Sequence, residues 1–218
     1  MIDVATQINA VARTVGSRTL EDGEAKTFLV RQTYDATLED VWDACTKGDR
    51  IARWFLPVKG DLRLGGRYQI EGNAEGEVLD CEPPRRLRVT WEYAGDISWV
   101  EVRLASAAYG QTSFELEHTA HVDAARWEEF GPGAVGIGWD MTLLGLAQHL
   151  HGGGEISSPE EGALWAASDE GRDFMARSGE RWHDAQVAAG EDPAAARAAA
   201  DRTIAAYTAA PPSEDGQG

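Results

Sequence analysis

The feature that most limits what this chain can become is a run of five strand-like stretches joined only by turns. They are Arg67 to Glu71, Gly76 to Cys81, Leu87 to Tyr93, Trp99 to Ala105 and Ser113 to His121. The connections "EGN", "EPPRR", "AGD" and "AYGQ" suit successive antiparallel hairpins and are too short for the crossover helices that parallel strands require. Alternation then gives each strand an inner face. Leu87, Val89, Trp91 and Tyr93 share one side, as do Val100, Val102 and Leu104; Phe114, Leu116 and His118 share another, with Glu115 and Glu117 facing away. A sheet that is apolar on one face needs a cover. From Trp139 onward, Leu143, Leu146, Ala147 and Leu150 form a helical stripe with Met141 and Leu144 beside it, and this supplies the cover. The expected class is α+β.

Around this centre the chain divides into four parts. Ile8, Val11, Ala12 and Val15 recur at helical spacing, so residues 1–24 are expected to be an N-terminal helical segment. The core domain is expected over 25–154. It begins with a strand at Thr27 to Tyr34, then a helix capped by Thr37 and running to about Lys47, and a short second helix from Ile51 to Phe55. Residues 155–210 read as a helical extension punctuated by Ser158 and Pro159, Gly190, Asp192 and Pro193, with Trp165, Phe174, Trp182 and Tyr207 as its anchors. Residues 211–218 are expected to be a disordered tail.

Several function classes drop out. Gly131, Gly133 and Gly136 fit the dinucleotide spacing G-x-G-x-x-G, but that site needs a hydrophobic strand just before it, and the preceding "DAARWEEF" is charged and helix-compatible. With glycine at 24 of 218 positions, the match carries little weight, and the glycines are expected to form an irregular turn into the covering helix. Lys plus Arg is 20 against 37 for Asp plus Glu, a formal net charge of -17, which repels nucleic acid and anionic lipid. The two cysteines, Cys45 and Cys81, form no C-x-x-C pattern and suit a reducing cytoplasm. The opening "MIDVATQINAVARTVG" has no secretory h-region, and no apolar run is long enough to span a membrane.

The stretch from Tyr34 to Tyr93 carries a resemblance. Val41 and Trp42 in the first core helix, Trp54 and Phe55 after it, Gly65 and Gly66, and Pro83 and Pro84 followed by Leu87 and Trp91 fall in a specific order. His118 ends a strand, and Gly138 with Trp139 opens the last helix. Together, over about residues 25 to 151, they resemble the START-like (SRPBCC) superfamily, in the bacterial branch related to the C-terminal domain of the heat-shock-protein-90 ATPase activator. Ala36 and Thr37 stand where that branch usually begins the helix after a proline, and the helical extension lies outside its usual boundary. The resemblance implies a helix-grip (START/Bet v-like) fold, a curved antiparallel sheet wrapped around a long helix, with a cavity for a small hydrophobic molecule between them.

Independently of the resemblance, the apolar inner face and eight tryptophans suit an aromatic pocket. Its candidate lining is Tyr68, Trp91, Tyr93, Phe114, His118, Trp139 and Leu143. His118 has inward parity and is the polar residue best suited to acid or base work, although a hydrogen-bonded structural role accounts for it more simply. His118 and His121 point oppositely along a strand, and His149 and His151 lie about 200° apart on a helix, so no metal site and no cofactor is expected. No nucleophile, catalytic dyad or phosphate loop stands out, and no catalytic residue is assigned. The expected partner is a small hydrophobic molecule. The alternatives implied by the resemblance are a chaperone-associated role and a cyclase- or hydrolase-like enzyme using His118, Tyr93 or Arg67; a homodimer is compatible with the sequence.

Overall fold

A computed structural model describes residues 3–152 and 159–209. The elements in chain order are α1 (Val4–Ala10), β1 (Ala12–Leu20), β2 (Gly23–Tyr34), α2 (Leu38–Thr46), α3 (Gly48–Ile51), β3 (Val58–Gly60), β4 (Arg67–Ile70), β5 (Glu75–Glu82), β6 (Arg86–Tyr93), β7 (Asp96–Ser106) and β8 (Thr112–Ala120). Helices α4 (Ala124–Phe130), α5 (Gly133–Leu150), α6 (Pro159–Ala166), α7 (Asp169–Ala188) and α8 (Pro193–Thr208) follow. The strands make one antiparallel sheet in the order β1-β2-β8-β7-β6-β5-β4-β3. Six of its pairings join neighbours in sequence; the remaining one, β2 with β8, joins the beginning of the sheet to its end and sets Phe28 opposite His118 and Val30 opposite Leu116. This is the helix-grip arrangement, with α5 held against the inner face.

The register explains the face preference. Val102 and Val30 flank Leu116, and Leu104 and Gln32 flank Phe114, all buried. On the other face the same strands carry ions: Arg18 reaches Glu117 at 2.7 Å, Arg103 reaches Glu101 at 2.8 Å and Glu115 at 2.5 Å, and Arg31 pairs with Glu115. A one-residue slip would exchange the two faces, so the alternation fixes the pairing.

The N-terminal segment departs from expectation. It is helical only to Ala10, and from Ala12 it forms the edge strand β1, paired with β2 from Ala12 opposite Arg31 to Leu20 opposite Gly23. The apparent helical period came from joining Ile8, on a helix, to Val11 and Val15, which enter the core from the chain beyond it. Gln7 and Gln32, both buried, close the junction with reciprocal amide bonds of 2.9 and 3.2 Å.

The glycine segment also departs from expectation. The stretch from Gly133 is the first two turns of α5, so the helix begins six residues before Trp139. Gly131, at φ +57, makes the break from α4. Inside the helix the absence of a side chain serves contact: a Cβ on Gly136 would lie 2.1 Å from the Trp182 indole of α7, and one on Gly133 would lie 3.1 Å from Thr203 of α8. The glycines let two helices of the C-terminal extension press against α5, which is buried nearly all round. The expected helix start at Ser158 and the tail 211–218 lie outside the described residues.

Gly136→Ala should therefore lower stability by about 1–3 kcal/mol, because the added methyl has no space in a packed aromatic contact. Urea unfolding followed by tryptophan fluorescence measures this, and an unchanged midpoint would contradict the packing account.

Candidate functional site

Between the inner face of the sheet and one side of α5 runs a groove of about 1390 Å³. Its floor is aromatic: Phe28 comes from β2, Trp91 from β6, His118 from β8 and Trp139 from α5. Trp54 and Phe55, just after α3, close one end, and Trp165 of α6 stands along the wall. The Trp91 and Trp139 rings lie 5.2 Å apart, and His118 meets Trp139 edge-on at 5.7 Å. The first pair is tilted and the second edge-on, contacts that help fix the rings in place.

A chain of hydrogen bonds holds the floor. The Trp139 indole N–H donates to His118 Nδ1 at 3.0 Å. Nδ1 must then accept, so the imidazole is neutral with its proton on Nε2, and that N–H donates to Ser98 Oγ at 2.8 Å. The Ser98 hydroxyl in turn donates to the Trp91 carbonyl at 3.0 Å. Burial pushes the imidazole pKa down from 6.5 to about 4, because the charged form would lose its water. His118 is thus a connector that orients Trp139, with neither a free lone pair nor a proton to give near neutral pH.

At the mouth the chemistry changes. Arg126 of α4 lies 3.8 Å from Asp96 of β7, and His121, Asp123 and Gln148 also line the opening. Arg126 and Asp96 are largely exposed, so their pairing adds little stability. Tyr93 stands at this mouth, 57% exposed.

Beneath the floor lies a second, smaller cavity of about 130 Å³, almost wholly apolar, and it shares Trp54, Phe55, Trp91, Trp139 and Thr142 with the groove. The seven residues expected from sequence therefore divide. His118 and Tyr93 line the groove; Tyr68, Phe114 and Leu143 line the inner cavity; Trp91 and Trp139 border both. Phe28, Val135 and Trp165 were not expected. Phe28 carried a readable signal, its inward parity on β2, whereas Trp165 is brought to the groove only by the packing of α6 against α7. Arg67 faces outward, paired with Glu92 at 2.9 Å. Among the described residues no three His, Cys, Asp or Glu side chains converge as a metal site, and no helix is long and apolar enough to cross a membrane.

The state of His118 is open to direct measurement. Its folded pKa lies below the unfolded one, so between about pH 4 and 6.5 the unfolded chain binds more protons. The stability due to the neutral ring is full above the unfolded value and is lost as pH falls through the folded one. Imidazole ¹⁵N shifts should show the Nε2–H tautomer persisting to about pH 4; a titration near 6.5 would contradict the assignment.

Several solved structures resemble this fold. The crystal structure of CalU16 from Micromonospora echinospora is 38% identical, covering 81% of this chain and 98% of that one, with a TM-score of 0.64. MLL2253 from Mesorhizobium loti is 25% identical over 57% of this chain and 96% of its own, with a TM-score of 0.51. A conserved protein of unknown function from Enterococcus faecalis, EF2215, shares the fold at 17% identity and a TM-score of 0.54, covering 81% of this chain and 92% of that one. No curated protein matches. Residues 35–151, more than half of the sequence and spanning α2 to α5, match the family described as activator of Hsp90 ATPase homolog 1-like proteins, and the chain belongs to that family.

Proposed function

We propose that this chain binds a small hydrophobic molecule in the groove between the curved sheet and α5. The observation that carries the reading is the groove itself: about 1390 Å³ bounded by tryptophan and phenylalanine rings, with the buried polar groups of its floor already bonded to one another. A site of that kind gains little from a polar ligand and much from apolar surface removed from water. Its volume exceeds the roughly 300–1,000 Å³ of common small-molecule sites, which suits a multi-ring or branched compound. The net charge of -17 favours a neutral or cationic ligand over an anion.

The family description raises a second reading, contact with a chaperone ATPase, which would use the outer surface and leave the groove unexplained. A cyclase- or hydrolase-like reaction through His118 finds little support, because both ring nitrogens are engaged and the ring resists protonation.

A panel of uncharged lipophiles titrated against tryptophan emission should give saturable shifts, since Trp91 and Trp139 border the site. Trp91→Ala should weaken binding about tenfold or more through lost aromatic contact. No saturable response from any member, or undiminished affinity in the variant, would count against the groove as a ligand site.

A further inference from the structure

The inner cavity gives this binding reading a shape requirement. It is walled by Val78, Val89, Val100, Val102, Leu116 and Leu146, with Phe114 and Leu143 closing it. Its polar side chains are already committed. The hydroxyl of Thr46 donates to the Trp42 carbonyl at 2.7 Å, that of Tyr68 to the Thr90 carbonyl at 2.6 Å, and that of Thr142 to the Gly138 carbonyl at 2.9 Å. The indoles of Trp54 and Trp139 donate to the Ala44 carbonyl and to His118. Burial drives the Cys45 thiol up to about 12, so it stays uncharged. With these protons taken, a water inside could only donate to the three hydroxyl oxygens, whereas an apolar guest about the size of benzene matches the rest of the lining.

The cavity adjoins the groove, the two being bordered by the same Trp54, Phe55, Trp91, Trp139 and Thr142. Trp91 and Trp139 stand 5.2 Å apart at this boundary, and Trp139 is held by its bond to His118. We infer that the ligand is bipartite: a bulky body in the outer groove with one short, wholly apolar projection, an alkyl stub or a single aryl ring, seated beyond Trp91 and Trp139 in the inner cavity. This rests on the groove being a ligand site. It predicts discrimination by the end of the molecule: lengthening the projection beyond the chamber, or placing a hydroxyl or charge on it, strips the affinity that the projection gained.

Calorimetric titration of the full chain with 2-naphthol and with 6-butyl-2-naphthol tests it. The butyl group should tighten binding at least tenfold. Val102, which lines the inner cavity and not the groove, is the place to fill it. In Val102→Phe the ratio of the two affinities should fall to within twofold; Val102→Leu, a smaller filling that the core tolerates more readily, should reduce the same ratio and covers the case in which the first variant does not fold. Equal affinities for the two compounds in the unaltered chain, or a butyl gain that survives filling, would overturn the bipartite ligand while leaving groove binding in place. Failure of both compounds to bind would overturn the groove reading together with it.

Discussion

A buried carboxylate on α5, Asp140, gathers three separate parts of the chain. Its Oδ2 accepts from Arg13 Nε of β1 at 2.8 Å and from the Trp182 indole of α7 at 3.0 Å, and the Ser178 hydroxyl donates to the same oxygen. Arg13 also donates to the carbonyls of Ile8 at 3.1 Å and Val11 at 2.8 Å, which ties down the passage from α1 into β1. Burial raises the carboxyl pKa, and the Arg13 charge with the three donated hydrogen bonds works against that rise. Removing one partner of such a pair typically costs about 3–5 kcal/mol, because the other is left buried and uncompensated. The edge strand, the central helix and the C-terminal extension thus depend on a shared contact.

Trp139 is the residue before Asp140, and successive helix positions point about 100° apart. One side chain meets the sheet at His118 while the next meets α7. The groove floor and the docking of the extension are consequently set by the same turn of helix. Gly136 lies on that helix one turn earlier and Gly133 two turns earlier; Gly133 admits α8, and Gly136 allows α7 the close approach that brings Trp182 within reach of Asp140. What resembles a phosphate-cradling motif in the sequence is a packing surface in the fold.

Alternation made the sheet from β4 to β8 legible, because the charged outer positions Glu115 and Glu117 contrast with the apolar residues between them. The edge strands were not legible. β3 has only three residues, and β1 buries a single side chain, Val15, so neither carries a periodic signal. The groove was partly readable: parity assigned Trp91 and His118 inward, but it could not tell that Tyr68, Phe114 and Leu143 line an inner cavity while Tyr93 stands at the mouth. That division depends on the curvature of the sheet around α5. Nor did the glycines announce their use, since the same residues that loosen a turn also permit helix contact, and only Trp182 and Thr203, more than forty residues away, decide between the two.

If Asp140 joins these parts into one cooperative unit, α7 is as stable as the sheet it never pairs with. Native-state hydrogen exchange tests this most directly. Amides from Ser178 to Trp182 should open with the same free energy as those in the centre of β7 and β8, and Asp140→Asn should lower both sets together. Exchange of α7 through an opening well below that of the sheet, untouched by Asp140→Asn, would contradict the account.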